Sequence, residues 1–165
     1  MGTGKSGRYL NTVGAKNSFS EYAVVHSNEG TLNKPSKKRD VLRLMSGGHG
    51  EGNIQLLKKY GITYKINKVY GNGVRIGDVP NHGNRRKQTG NNQTWFPKEW
   101  SSKKIKKAGE YVLKLKKNQN AKDGQVITGI YNGVKVGVIK TNGKPSTIFP
   151  DKDQSEALKR RKRKK

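Results

Sequence analysis

Residues 125–150 read "QVITGIYNGVKVGVIKTNGKPSTIFP". Two Asn-Gly pairs, Asn132-Gly133 and Asn142-Gly143, separate runs in which β-branched residues alternate with polar or small ones. Asn-Gly is the pair that most readily takes the two positive φ angles of a tight hairpin turn, and a period of two marks a strand with one buried face. The stretch therefore predicts an antiparallel meander of three strands. Upstream, "ITYKINKVY" at 62–70 and "GVRIGDV" at 73–79 alternate in the same way and meet at the turn signal "GNG", which predicts a further hairpin.

The helical signals lie between and before these strands. "GNIQLLKKYG" at 52–61 puts Ile54 and Leu57 on one helical face and ends at Gly61, where a C-terminal glycine belongs. After "TWFPKEW", Ser101 or Ser102 can cap a helix with Ile105, Ala108, Val112 and Leu115 at helical spacing and lysine on the opposite face. The fold class is α+β, a helical and loop-rich front half followed by an antiparallel β-sheet. "EYAVVHSNEG" at 21–30 reads as a short apolar run, Tyr22 to Val25, that ends in His26 and a turn. "NKPSKKRD" at 33–40 reads as a solvated basic loop. The chain divides into an N-terminal extension (1–20), one domain (21–150) and a basic tail (151–165) that ends in "KRRKRKK" and is expected to be disordered. The opening "GTGKS" lacks the strand and the full glycine spacing of a phosphate loop and is set aside.

Charge is the strongest compositional signal. Lys and Arg number 36 against 11 Asp and Glu, a net charge of +25 spread along the chain. Such a field favours a polyanion, and nucleic acid fits it better than a lipid surface, because aromatics are few and not gathered on apolar helical faces. An acidic protein is the other partner it would attract. Apolar residues make up 30% and mean hydropathy is −0.99, so no membrane anchor is expected. There is no apolar run after Met1 to serve as a signal peptide. The absence of cysteine excludes disulfides, thiolate metal sites and cysteine nucleophiles.

Three histidines are present, His26, His49 and His82, all in turn or loop contexts beside glycine or small polar residues. No H-x-x-x-H or H-E-x-x-H pattern exists, and no strand–G-x-S-x-G–helix context, so neither a closed zinc site nor a serine hydrolase is supported. Two histidines and a lysine facing a phosphodiester suit the composition better. RNA carries its own nucleophile: one imidazole can take the proton of the ribose 2′-hydroxyl while a second protonates the departing 5′ oxygen, and a lysine stabilises the charge between them. In "MSGGHGEGN" at 45–53, Gly47, Gly48 and Gly50 would let an RNA backbone come close to His49. His82 reads as a spare, either in contact with phosphate or simply exposed, and exposure is the favoured reading. Trp95, Phe96 and Trp100 read as core.

Taken in chain order, "HSNEG" from His26, "GGHG" around His49, a basic loop running into "TWFPKEWS" and the closing "NGKPSTIFP" resemble the bacterial branch of the EndoU endoribonuclease family. Its members often form C-terminal toxin domains of contact-dependent or LXG-type secreted proteins. The resemblance runs from Tyr22 to Pro150. It implies an EndoU-like fold and a metal-independent RNA endonuclease that needs no cofactor and leaves 2′,3′-cyclic phosphate ends. In the roles it implies, His26 is the general acid, His49 the general base and Lys87 the third catalytic residue, with Arg86 and Lys98 as alternatives for the lysine. Thr94 matches the Ser/Thr that hydrogen-bonds the base or orients the site. Thr147 and Phe149 match the late substrate-binding pair, although Phe149 stands where many relatives carry tyrosine and so keeps the stacking surface without the phenolic hydrogen bond. A toxin of this kind would be secreted or delivered within a larger protein, act in the target-cell cytoplasm on RNA, and be held in check by a cognate acidic immunity protein. A non-catalytic basic RNA-binding protein is the reading that charge alone would support.

Overall fold

In the computed structural model, which describes residues 18–33 and 42–163, the front half opens with helix α1 (Glu21–Asn28) and a short ladder of β1 (Thr31–Leu32) with β2 (Leu44–Ser46). Helix α2 (Glu51–Lys59) follows, then β3 (Lys65–Val69), β4 (Arg75–Asp78) and β5 (Gln93–Trp95), which form an antiparallel sheet in that order. Between β4 and β5 a loop carries one turn of 3-10 helix, Arg85–Gln88. Helix α3 (Ser102–Lys114) leads into β6 (Val126–Tyr131), β7 (Val134–Thr141) and β8 (Lys144–Pro150), and α4 (Ser155–Arg163) closes the described chain. Among the described residues no helix is long and apolar enough to cross a membrane.

The meander forms as its turn residues dictate. Asn132 and Gly133 take φ of 48° and 77°, and Asn142 and Gly143 take 54° and 76°, so both central residues of each turn are left-handed. Its alternation then divides two jobs between two faces. Ile127, Val134, Val136, Val138 and Ile148 are buried in a core shared with Ile105, Ala108 and Val112 of α3, Ala23 and Val24 of α1, and Phe19, Phe96 and Trp100. The pairs Gly137↔Phe149 and Ile139↔Thr147 have the opposite parity and lie on the other face. A second core, Leu44, Ile54, Leu57, Ile62, Val79 and Trp95, lies under the front half.

Local signals explain the helices. Ser101 Oγ accepts the N–H of Lys104 (3.1 Å) and starts α3; Leu115 has already left the helix, and Leu113 takes the last core position. At the end of α2, Gly61 has φ +65°, its N–H reaches Lys58 O and that of Ile62 reaches Leu57 O, the paired bonds of a glycine-terminated helix. Trp95, Phe96 and Trp100 are core, as read.

Three boundaries differ from the sequence reading. Residues 21–28 are helix rather than an apolar run into a turn, because Ser20 Oγ caps them by accepting the N–H of Ala23 (3.1 Å). Phe19, assigned to the extension, is in the core; residues 1–17, and all of 33–40 but Asn33, lie outside the described residues. The domain does not stop at Pro150, and the tail expected to be disordered is helical through Arg163. The reason is local: Gln154 is fully buried and its amide bonds Lys135 N and O, Asp151 O and Asn72 Nδ2, while Ala157 is buried beneath α4. Only Lys164 and Lys165 of that tail lie outside the described residues.

Candidate active site

A cleft of about 370 Å³ opens between the outward face of the meander and the front half, and His26, His49, Lys87, Thr94, Thr147 and Phe149 all line it. They come from five places in the fold, so their convergence needs an explanation in bonds. The last turn of α1 carries His26, and it is stitched to the glycine turn ahead of α2: Gly48 N–H reaches His26 O (3.0 Å), His49 N–H reaches Ser27 O (2.6 Å) and Gly50 N–H reaches Asn28 O (3.0 Å). Ser27 Oγ donates to Ala23 O (2.8 Å) and accepts the N–H of Ile148 (2.9 Å). That bond fixes β8 against α1, which puts Thr147 and Phe149 on either side of a buried anchor and into the cleft.

The glycines make room for the protein's own atoms, a role the sequence reading did not assign to them. A methyl group on Gly47 would overlap the carbonyl oxygen of His26 and stand 2.8 Å from its Nε2; one on Gly50 would overlap Asn28 Oδ1. Gly47 and Gly48 also have φ of +67° and +77°, a region that other residues rarely occupy. Their small size lets α1 press against the turn.

His49 is buried, and its Nδ1 lies 2.8 Å from the carbonyl oxygen of Thr94. A carbonyl can only accept, so Nδ1 carries the proton and Nε2 holds the free lone pair of the neutral ring. Thr94 Oγ1 lies 3.3 Å from the same nitrogen, and the Phe149 ring is 5.7 Å away, tilted by 47°. Burial pushes the pKa of His49 down to about 3, and the positive charges of Lys87, His26 and His82 push it the same way, against the Thr94 carbonyl bond. The ring is therefore neutral at physiological pH. His26, half-buried, has its pKa lowered by burial, shares its Nδ1 with Thr31 Oγ1 (2.8 Å) and stacks on Tyr22. Burial also lowers the pKa of Lys87, whose Nζ donates to Gln93 Oε1 (3.3 Å). Arg86 and Lys98 are exposed and do not line the cleft.

His82 is not the exposed spare its loop context suggested. It is 1% exposed and lines the cleft; its Nδ1 accepts the N–H of Asn84 (2.8 Å), and burial followed by the Lys87 charge lowers its pKa to about 4, with Asp78 opposing. Ser27, Gln93 and Asn84, which hold the cleft together, carried no sequence signal, because single polar residues leave no period. Among the described residues no group of three His, Asp or Glu is placed to hold a metal ion.

A model of the bacterial EndoU nuclease family matches residues 20–152, most of the chain. No curated protein and no solved structure matches it.

Proposed function

We propose that this chain, which belongs to the bacterial EndoU nuclease family, cuts RNA by transferring the 2′-hydroxyl proton to His49 and donating a proton from His26 to the leaving 5′ oxygen. One observation carries the reading: His49 donates its Nδ1–H to the Thr94 carbonyl, which leaves Nε2 as the unprotonated nitrogen, in a cleft that His26 and Lys87 also line. The 2′ oxygen forms its bond to phosphorus as the bond to the 5′ oxygen breaks, and the product is a 2′,3′-cyclic phosphate. Lys87 stabilises the extra negative charge on the phosphorus oxygens in between. His26 must be protonated to serve as the acid, and the approaching phosphate supplies the anion that raises its pKa in the complex. Thr147 and Phe149 support the ribose and base, Phe149 by stacking.

A +25 surface also favours an acidic protein partner, which suits an immunity protein that covers the cleft of a toxin delivered into a target-cell cytoplasm. Incubation of total RNA with the protein in EDTA tests the chemistry. Cleavage that leaves cyclic phosphate ends is expected, with a loss of at least roughly 100-fold in His49→Ala while RNA binding is retained. RNA that is bound but left intact by the unmutated chain would favour the non-catalytic reading instead.

A further inference from the structure

We infer that Gln93 is a positioning residue that holds the Lys87 ammonium against the glycine turn ahead of His49 without neutralising its charge. The inference rests on the roles proposed above for Lys87 and His49. Gln93 opens β5 opposite Gly77 of β4, and its side chain is fully buried. Its Nε2 donates to Gly47 O (3.1 Å) and Gly48 O (2.7 Å). Both partners are carbonyls, which only accept, so the amide cannot be flipped and its Oε1 must face the Lys87 ammonium. One planar group thus spans the loop that carries Lys87 and the turn that presents His49. Through the bond from Gly48 N–H to His26 O, the same link reaches the turn of helix that carries His26.

Lys87 needs such a tether. No residue of its 3-10 helix is fully buried, so the core does not anchor the partly covered Lys87 side chain, and its Nζ is fixed by the hydrogen bond to Gln93 Oε1. A neutral amide is the suitable acceptor. A carboxylate in its place would cancel the cation that the phosphate is to meet, and would turn a second unprotonated oxygen toward two carbonyl oxygens. A protonated carboxyl reproduces the amide pattern, with C=O accepting from lysine and O–H donating to a glycine carbonyl. That property separates positioning from mere filling of the core.

The test is steady-state cleavage of an RNA oligonucleotide by the full chain from acid to neutral pH, with melting temperatures recorded for every variant. Gln93→Glu should lower kcat about tenfold or more at neutral pH, and the ratio of its kcat to that of the unmutated protein should climb as the medium is acidified and the new carboxyl takes up a proton. Gln93→Met, which fills the site without either bond, should show the loss with no acid recovery. In a Lys87→Ala background, Gln93→Glu should change kcat by less than about twofold, since the group it acts through is gone. A flat ratio across pH, or equal losses with and without Lys87, would overturn the inference and make Gln93 a structural residue only. If Lys87→Ala alone left kcat unchanged, the proposed role of the lysine would fail and the tether with it; a large Lys87→Ala loss combined with a harmless Gln93→Glu would sink the tether alone.

Discussion

Two walls of the same cleft are built in opposite ways. The meander wall, with Ile139, Thr147 and Phe149, is fixed by a ladder of backbone bonds and by the apolar residues on its reverse face. The wall from 80 to 92, with His82, Asn84 and Lys87, has only scattered backbone bonds, such as Gly83 N–H to Leu44 O (2.8 Å), and is held for the rest by single polar side chains. Asn84 Oδ1 accepts the N–H of Arg86 (3.0 Å), Gln88 Nε2 donates to His82 O, and Asn92 Nδ2 donates to Arg86 O. The difference teaches that stability and chemistry are separable here. The first wall belongs to the core, and the second can lose the Lys87 side chain without emptying one.

The comparison breaks most visibly on the core side. Ile148→Ala removes a fully buried side chain between α1 and the sheet, and should lower stability by about 2–5 kcal/mol, measured by denaturant unfolding. On the other wall, Lys87→Ala should cost a factor of roughly 10–100 in kcat with a melting temperature within a few degrees of the unmutated value. If Lys87→Ala unfolded the protein, the two walls would not be distinct in kind.

Acid sharpens the contrast next. The folded pKa values of His49 and His82, about 3 and about 4, lie below the ordinary histidine value of 6.5. The unfolded chain therefore takes up these protons first as the pH falls below about 6.5, so unfolding is favoured progressively down to about pH 3, and above 6.5 neither group contributes. The melting temperature should fall over that window, with a smaller slope in His49→Gln. Activity follows a separate group. His26, the proposed acid, has a lowered pKa in the free protein, so kcat/KM should decline as pH rises above its titration, with the declining limb starting below pH 6.5.

The smallest expected effect sits within the meander wall, beside His49. A methyl group on Gly137 would stand 2.6–2.7 Å from the Phe149 ring, which must then shift toward His49 or away from it. Gly137→Ala should raise KM for RNA a few-fold and cost roughly 1 kcal/mol of stability, as mild overpacking does. An unchanged KM would remove Phe149 from the proposed substrate contacts.

How much was legible follows from the same contrast. The meander, the cap at Ser101 and the stop at Gly61 were written in short-range chemistry, namely turn pairs, alternation and a serine ahead of a helical stripe. Helix α1 was not, because eight residues make too few turns to show a stripe. Helix α4 was hidden by its charge: a run of lysine and arginine reads as solvated, and the burial of Gln154 and Ala157 depends on strand residues far back in the chain. In the site, the six residues picked out by the motif order all line the cleft, but the packing around the glycines and the burial of His82 were missed, because both depend on which atoms fill the space around them. Around the glycines Asn28 and the His26 carbonyl do so, and no local pattern announces them.

The most direct measurement pairs an RNA oligonucleotide that the protein cuts with the same oligonucleotide carrying a 2′-deoxy residue at the cut linkage, both in EDTA, with the product ends analysed. Cleavage of the first to a 2′,3′-cyclic phosphate and none at that linkage in the second is expected, because in the proposed mechanism the 2′ oxygen is the attacking group and His49 its base. Cutting of the 2′-deoxy linkage at a comparable rate, or a requirement for a divalent ion before either is cut, would contradict it.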